Sequence, residues 1–103
     1  MNYRHILKEE LWKRCQNNKK YSLRKFAQFL EIHPSRLSEV MNGKQGLSTN
    51  SAQKIGKKLG YKGYSLYYFK QTVLASDSRR TVSREKAYQW LKNQKLDDKK
   101  LPF

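Results

Sequence analysis

Residues 23–42 leave this chain few ways to fold. Phe26, Ala27 and Leu30 recur at the spacing of one helical face. Leu37, Val40 and Met41 do the same a few residues later. Only Glu31, Ile32 and His33 lie between Leu30 and Pro34, which is room for a tight turn and no more. Pro34 cannot extend a preceding helix but is favoured at the first position of a new one. Small Ala27 fits where two crossing helices come close, and Ile32 is placed to fill the corner. The spacing predicts two short helices, Leu23–Leu30 and Pro34–Met41, held in a helix-turn-helix.

Charge narrows the partner. The chain of 103 residues holds 23 Lys and Arg against 8 Asp and Glu, a formal net charge of +15. Solubility asks a small domain for a magnitude of only ~2–8. The excess points to a polyanion, with nucleic acid ahead of an anionic membrane surface. Residues 1–75 carry 15 of the cations and 4 of the acids, a larger net charge than that of residues 76–103. The longest apolar run, Leu66–Phe69, falls far short of the ~20 residues of a membrane span. The first residues contain no signal-peptide core. These features predict a cytoplasmic, nucleoid-associated protein with no membrane partner.

The remaining chain reads as more helix. Tyr3, Leu7, Leu11 and Cys15 recur every fourth residue with Ile6 beside them, so residues 3–17 form an amphipathic helix with Trp12 at the flank of the stripe. Cys15, the one cysteine, reads as a small core residue, and it excludes an internal disulfide. Ser22 is placed to cap the second helix. Arg24 and Lys25 then sit in its first turn, where cations oppose the helix dipole unless phosphate lies nearby. Asn42-Gly43 stops the third helix. Ser48 caps a fourth, with Leu47 stapling back onto Ala52, and Gly60 ends it.

Residues 65–75 form a fifth helix on Leu66, Phe69 and Val73, preferred over a strand because no partner strand exists. Tyr61 and Tyr64 fall in the loop before it. Residues 76–80 read as a polar linker, and Ser83 as the cap of a last helix over residues 84–95. The expectation is an all-α fold: a five-helix domain over 1–75, then a basic linker and C-terminal helix over 76–103. The apolar strip of that last helix, Ala87, Trp90 and Leu91, serves one of three ends. It folds back, pairs with its copy in a homodimer, or awaits a partner protein or a further C-terminal domain. The closing Leu101-Pro102-Phe103 reads as the end of a fragment or as a docked terminus.

Three segments carry a family resemblance: Ser22 to Leu30, Pro34 to Val40, and Asn42-Gly43 with Gly46-Leu47-Ser48. Together they resemble the lambda-repressor-like (Cro/repressor type) helix-turn-helix, and more narrowly the N-terminal module of a group of longer bacterial regulators. The resemblance covers about residues 3–75. It departs at Glu31, where many members place Gly. It implies a five-helix bundle, binding of double-stranded DNA in transcription regulation, and often symmetric dimers. Carried over by position, the helix Pro34–Met41 enters the major groove. There Ser35, Arg36, Ser38 and Glu39 face the bases, and Arg36 is suited to a guanine. Glu39 either accepts from cytosine or pairs with Arg36. Ser22, Arg24, Gln28, His33, Asn42, Lys44, Ser48 and Asn50 fall where members touch phosphate.

Other chemistries find less support. His5 and His33 stand far apart in sequence, with no carboxylate at the spacing of a metal motif. Gly43-Lys44-Gln45-Gly46 lacks the strand and spacing of a phosphate-binding loop. The reading is therefore no enzyme, no metal and no cofactor. Two rivals remain. One is a less specific nucleic-acid binder, architectural or RNA-directed, using its seven tyrosines to stack bases. The other is an antitoxin or adaptor module that docks a protein on its last helix.

Overall fold

A computed structural model describes residues 2–94 and 103. The chain is all-α, five helices followed by a C-terminal sixth: α1 (Tyr3–Asn17), α2 (Leu23–Leu30), α3 (Pro34–Met41), α4 (Thr49–Lys58), α5 (Tyr64–Asp77) and α6 (Thr81–Asn93). Two compact units divide the chain, Met1–Gly46 and Leu47–Phe103. Their division after Gly46 differs from the expected 75/76 boundary, which falls inside α5.

In the first unit α3 packs against both α1 and α2. Its buried residues are those of the periodic stripes: Tyr3, Ile6 and Leu7 on α1, Phe26, Ala27 and Leu30 on α2, and Leu37, Val40 and Met41 on α3. The α1 stripe fades toward its C-terminus, where Leu11 and Cys15 are only half-buried. Cys15 is thus a rim residue rather than a core one, and its Sγ donates to the Tyr21 carbonyl at 3.7 Å. Trp12 does not flank the stripe as expected. At ~100° per residue it lies opposite Tyr3, Ile6 and Leu7, and it is 63% exposed.

The helix ends explain the turns. The α2 helix closes in a Schellman cap, with Ile32 N–H to the Ala27 carbonyl at 3.0 Å and Glu31 N–H to that of Gln28 at 3.2 Å. This cap needs one left-handed residue, and Glu31 supplies it at φ 59° and ψ 43°. The same pattern closes α3 through Gly43 and α4 through Gly60, where glycine meets the need without strain.

In the second unit α5 packs against α4 and α6. Gly56 sets the approach of α4 to α5, since a Cβ there would lie 2.6 Å from Leu66 Cδ1. Three successive rings on α5 diverge by the helical step: Tyr68 and Phe69 are buried, and Tyr67 is 47% exposed. Tyr61, expected in a loop, is 8% exposed and stacks 5.6 Å from Phe69.

The last helix folds back on α5. Trp90 meets Tyr67 edge-on at 4.8 Å, Tyr64 Oη donates to Gln94 Oε1 at 2.6 Å, and Ala87 is buried. The start of α5 meets the end of α6, so the pair is antiparallel, as a three-residue link requires. The expected Ser83 cap is corrected. The helix begins at Thr81, Arg80 holds the cap position without a side-chain bond, and Ser83 lies inside the helix. The expected linker at 76–80 shortens, because α5 runs to Asp77. Asp77 Oδ2 instead accepts from Leu47 N–H at 3.1 Å, which ties the entrance of α4 to the end of α5. The Phe103 ring lies 4.6 Å from that of Tyr61. The expected end of the last helix at residue 95 and the Leu101-Pro102 step lie outside the described residues.

Candidate nucleic-acid interface

The third helix is prepared from its first residue. His33 is extended at the N-cap, with φ −63° and ψ 136°. Its Nδ1 accepts from the Ser35 N–H at 3.3 Å and lies 2.8 Å from Ser35 Oγ. Pro34 then fills the first helical position, where a missing N–H costs nothing. Burial of Leu37, Val40 and Met41 turns the other side of the helix to solvent.

On that side Ser35 and Arg36 are exposed, while Ser38 and Glu39 are half-buried. Arg36 makes no hydrogen bond or ion pair to any described residue, and its guanidinium carries five donors. Ser38 Oγ accepts from Asn42 Nδ2 at 3.5 Å, the long limit of such a bond. Glu39 does not pair with Arg36. Its carboxylate accepts from Gln45 Nε2, and its carbonyl accepts the Lys44 N–H at 2.8 Å. Glu39 thereby braces the loop that presents Lys44.

Around this face lie the expected phosphate contacts of the first unit. Ser22 Oγ caps α2 by accepting from Lys25 N–H at 3.2 Å. Arg24 and Gln28 on α2, His33 before α3, and Asn42 and Lys44 after it are all exposed. Ser48 and Asn50 belong to the second unit, also exposed. Ser48 Oγ accepts from Ser51 N–H at 3.2 Å, and Asn50 stands in the first turn of α4.

The first unit is strongly electropositive. Residues 1–46 hold ten Lys and Arg against four acids. Of those acids, Glu9 lies 3.0 Å from His5, Glu10 lies 3.9 Å from Arg14, and the Glu39 carboxylate accepts from Gln45. Arg24 and Lys25 on α2, Arg36 on α3 and Lys44 in the loop after α3 are all exposed. Among the described residues no three His, Cys, Asp or Glu side chains gather as a metal would need. Nor is any helix there long and apolar enough to cross a membrane.

Sequence reasoning missed Arg4. Its Nε donates to the Val40 carbonyl at 2.8 Å and its Nη2 to the Gln45 carbonyl at 3.1 Å. The guanidinium also lies 4.8 Å from the Tyr3 ring centre. Arg4 thus places a cation at the C-terminal end of α3, where the helix dipole is negative. Its partners stand 36 and 41 residues away, beyond the reach of any local pattern. Gln45 was missed for a like reason, its partner Glu39 being reached only through the α3 cap.

Comparison of the chain with protein-family models, with curated proteins and with solved structures returns no match.

Proposed function

We propose that the chain is a sequence-specific double-stranded DNA-binding regulator of transcription, of the lambda-repressor-like helix-turn-helix type, with α3 laid in the major groove. The observation that carries this reading is the state of Arg36. It stands on the solvent side of a short capped helix, with no hydrogen bond or paired acid among the described residues. A free guanidinium at the start of such a helix suits the O6 and N7 acceptors of guanine. Ser35 and Ser38 are suited to neighbouring base edges, and Glu39 contributes mainly by holding Gln45 and the loop to Lys44. Arg24, Gln28, His33, Asn42 and Lys44 would fix the register on phosphates, as would Ser22, Ser48 and Asn50 through their helix starts. A nucleoid-associated protein in the cytoplasm follows from that role, and a homodimer would suit a symmetric site.

The rival adaptor reading loses part of its footing. The apolar strip of α6 offered to a protein partner is spent on α5 through Ala87 and Trp90. A less specific binder would share the charge but would not need Arg36 free at a helix start.

The test is selection of bound sequences from a random duplex pool, followed by titration at fixed salt. The reading expects one recovered motif bound at least ~10³ more tightly than random duplex. Recovery of no motif, with equal affinity for all duplexes, would leave only the less specific binder.

A further inference from the structure

We propose that the outward face of α1 is a second nucleic-acid site, one that takes unpaired nucleotides of a single strand. A base stacks on Trp12, and the flanking phosphates meet Lys8 and Lys13. The site is separate from α3 and does not rest on the reading of that helix.

Trp12 is the starting observation. It is 63% exposed and projects from α1 on the side opposite the buried Tyr3, Ile6 and Leu7, so the fold of this unit makes little use of its ring. Around it is a shallow cleft of about 410 Å³, lined by His5, Lys8, Glu9, Trp12 and Lys13. That volume lies within the ~300–1,000 Å³ of small-ligand clefts. The cleft is lined by more cations than acids. Its one acid, Glu9, lies 3.0 Å from His5, and the two lysines, Lys8 and Lys13, outnumber it. The complement of this surface is a flat apolar ring bearing negative charge on both sides.

An unpaired nucleotide is such a ligand. Stacking needs an open π-face, and a base inside a duplex has both faces covered by its neighbours. A single strand can offer its base to the indole and its backbone to the lysines. Continuity with the α3 rim gives the strand a path. His5 and Lys8 also line a second, more polar cleft of about 330 Å³ with Asn2, Arg4, Asn42 and Gly43. A backbone leaving Trp12 past Lys8 would run toward the end of α3. An acidic peptide or an anionic membrane could satisfy the lysines, but neither requires an aromatic plane between them.

The experiment is anisotropy titration of a fluorescein-labelled oligothymidylate of about eight nucleotides, and of a duplex of equal length, with the full chain. Trp12→Leu keeps an apolar side chain but removes the π-face, and should weaken oligothymidylate binding by about 5–150-fold. Trp12→Phe should retain most of the affinity. Lys8→Gln with Lys13→Gln should lower the single-strand salt slope by about 1.4. Duplex affinity should change by less than about twofold in Trp12→Leu. Circular dichroism checks that each variant keeps its helices. Binding of oligothymidylate through Trp12, without any duplex binding, would uphold this site while removing the reading of α3. The proposal is overturned if Trp12→Leu binds oligothymidylate like the parent, or if single strand and duplex weaken equally. It is also overturned if Trp12 matters only for an acidic peptide or for phosphatidylserine vesicles.

Discussion

Arg4 Nε donates to the Val40 carbonyl at 2.8 Å, and through this bond the first turn of α1 holds the last turn of α3. The Val40 carbonyl also accepts the Gly43 N–H at 3.2 Å, so the guanidinium adds a second, charged donor there and complements the negative end of the helix dipole. Arg4 reaches a second carbonyl, that of Gln45, with its other arm. Arg4→Ala should therefore cost about 1–2 kcal/mol, the lower part of the range for charged hydrogen bonds because the group is only half-buried. Arg4→Lys should recover less than half of this, since one ammonium cannot span both carbonyls in the guanidinium geometry. The urea midpoint of each variant measures it. A midpoint unchanged in Arg4→Ala would mean that solvent serves these carbonyls equally well.

Glu31 is the one non-glycine residue at positive φ among those described. A left-handed conformation costs an L side chain ~1–2 kcal/mol, part of which glycine returns through its greater freedom in the unfolded chain. Glu31→Gly should thus raise stability by about 0.5–1 kcal/mol. Gly60→Ala, at φ 90° in the matching cap of α4, should lower it by about 1 kcal/mol. Thermal melting of the two variants should show opposite shifts. Shifts of the same sign would remove backbone strain as the explanation.

These two positions also show where the sequence was legible. Periodicity marked helices wherever an apolar stripe met a cap, so α1 to α4 begin and end as expected, and departure from a familiar turn residue flagged Glu31 in advance. Periodicity failed at Trp12 and Cys15, because a stripe of spacing four drifts around a helix of 3.6 residues per turn and α1 is too long to keep it buried. It failed again at Ser83, since a capping residue type does not oblige the chain to start a helix there. The candidate site was legible as a set of residue types and outward positions. Its bracing was not, because Arg4 with Val40 and Glu39 with Gln45 are pairings that only the tertiary path of the chain creates.

His33 caps the start of α3, and the proposed function gives it a second, separable role in contact. Loss of an N-cap side chain costs ~0.5–2 kcal/mol, and asparagine caps as well as any residue. His33→Ala should lower stability by about 1 kcal/mol, whereas His33→Asn should hold it near the parent value. If the imidazole also touches phosphate, His33→Asn should weaken duplex binding at unchanged stability. Paired melting and binding titrations separate the two roles. Equal stability in all three proteins would deny the capping bond seen at Ser35.

Arg24 stands in the first turn of α2, where its charge opposes the helix dipole. A nearby phosphate would reverse that penalty. Arg24→Ala should weaken all duplexes alike and reduce the slope of log affinity against log salt by about 0.9, the value for one phosphate contact. It should also leave the folded state slightly more stable, because an unfavourable charge is removed. An unchanged slope excludes Arg24 from the contact surface.

On the proposed function, Arg36 carries the distinction between reading sequence and merely holding DNA. Its guanidinium is exposed and has no partner among the described residues, so a variant loses nothing internal to the fold. Arg36→Ala should leave the melting temperature within about a degree, because surface substitutions away from such partners change stability by at most ~0.5 kcal/mol. At the selected site it should cost about 1–3 kcal/mol and relax preference at one base pair, as loss of a two-bond contact to guanine requires. Arg36→Lys should restore the phosphate-like part of the affinity but only part of the base preference, since its single ammonium forms no fixed fork. Repeating the duplex selection with each variant measures this directly. If Arg36→Ala weakens every duplex equally and the recovered motif keeps all its positions, Arg36 contacts only the backbone and another residue of α3 reads the base.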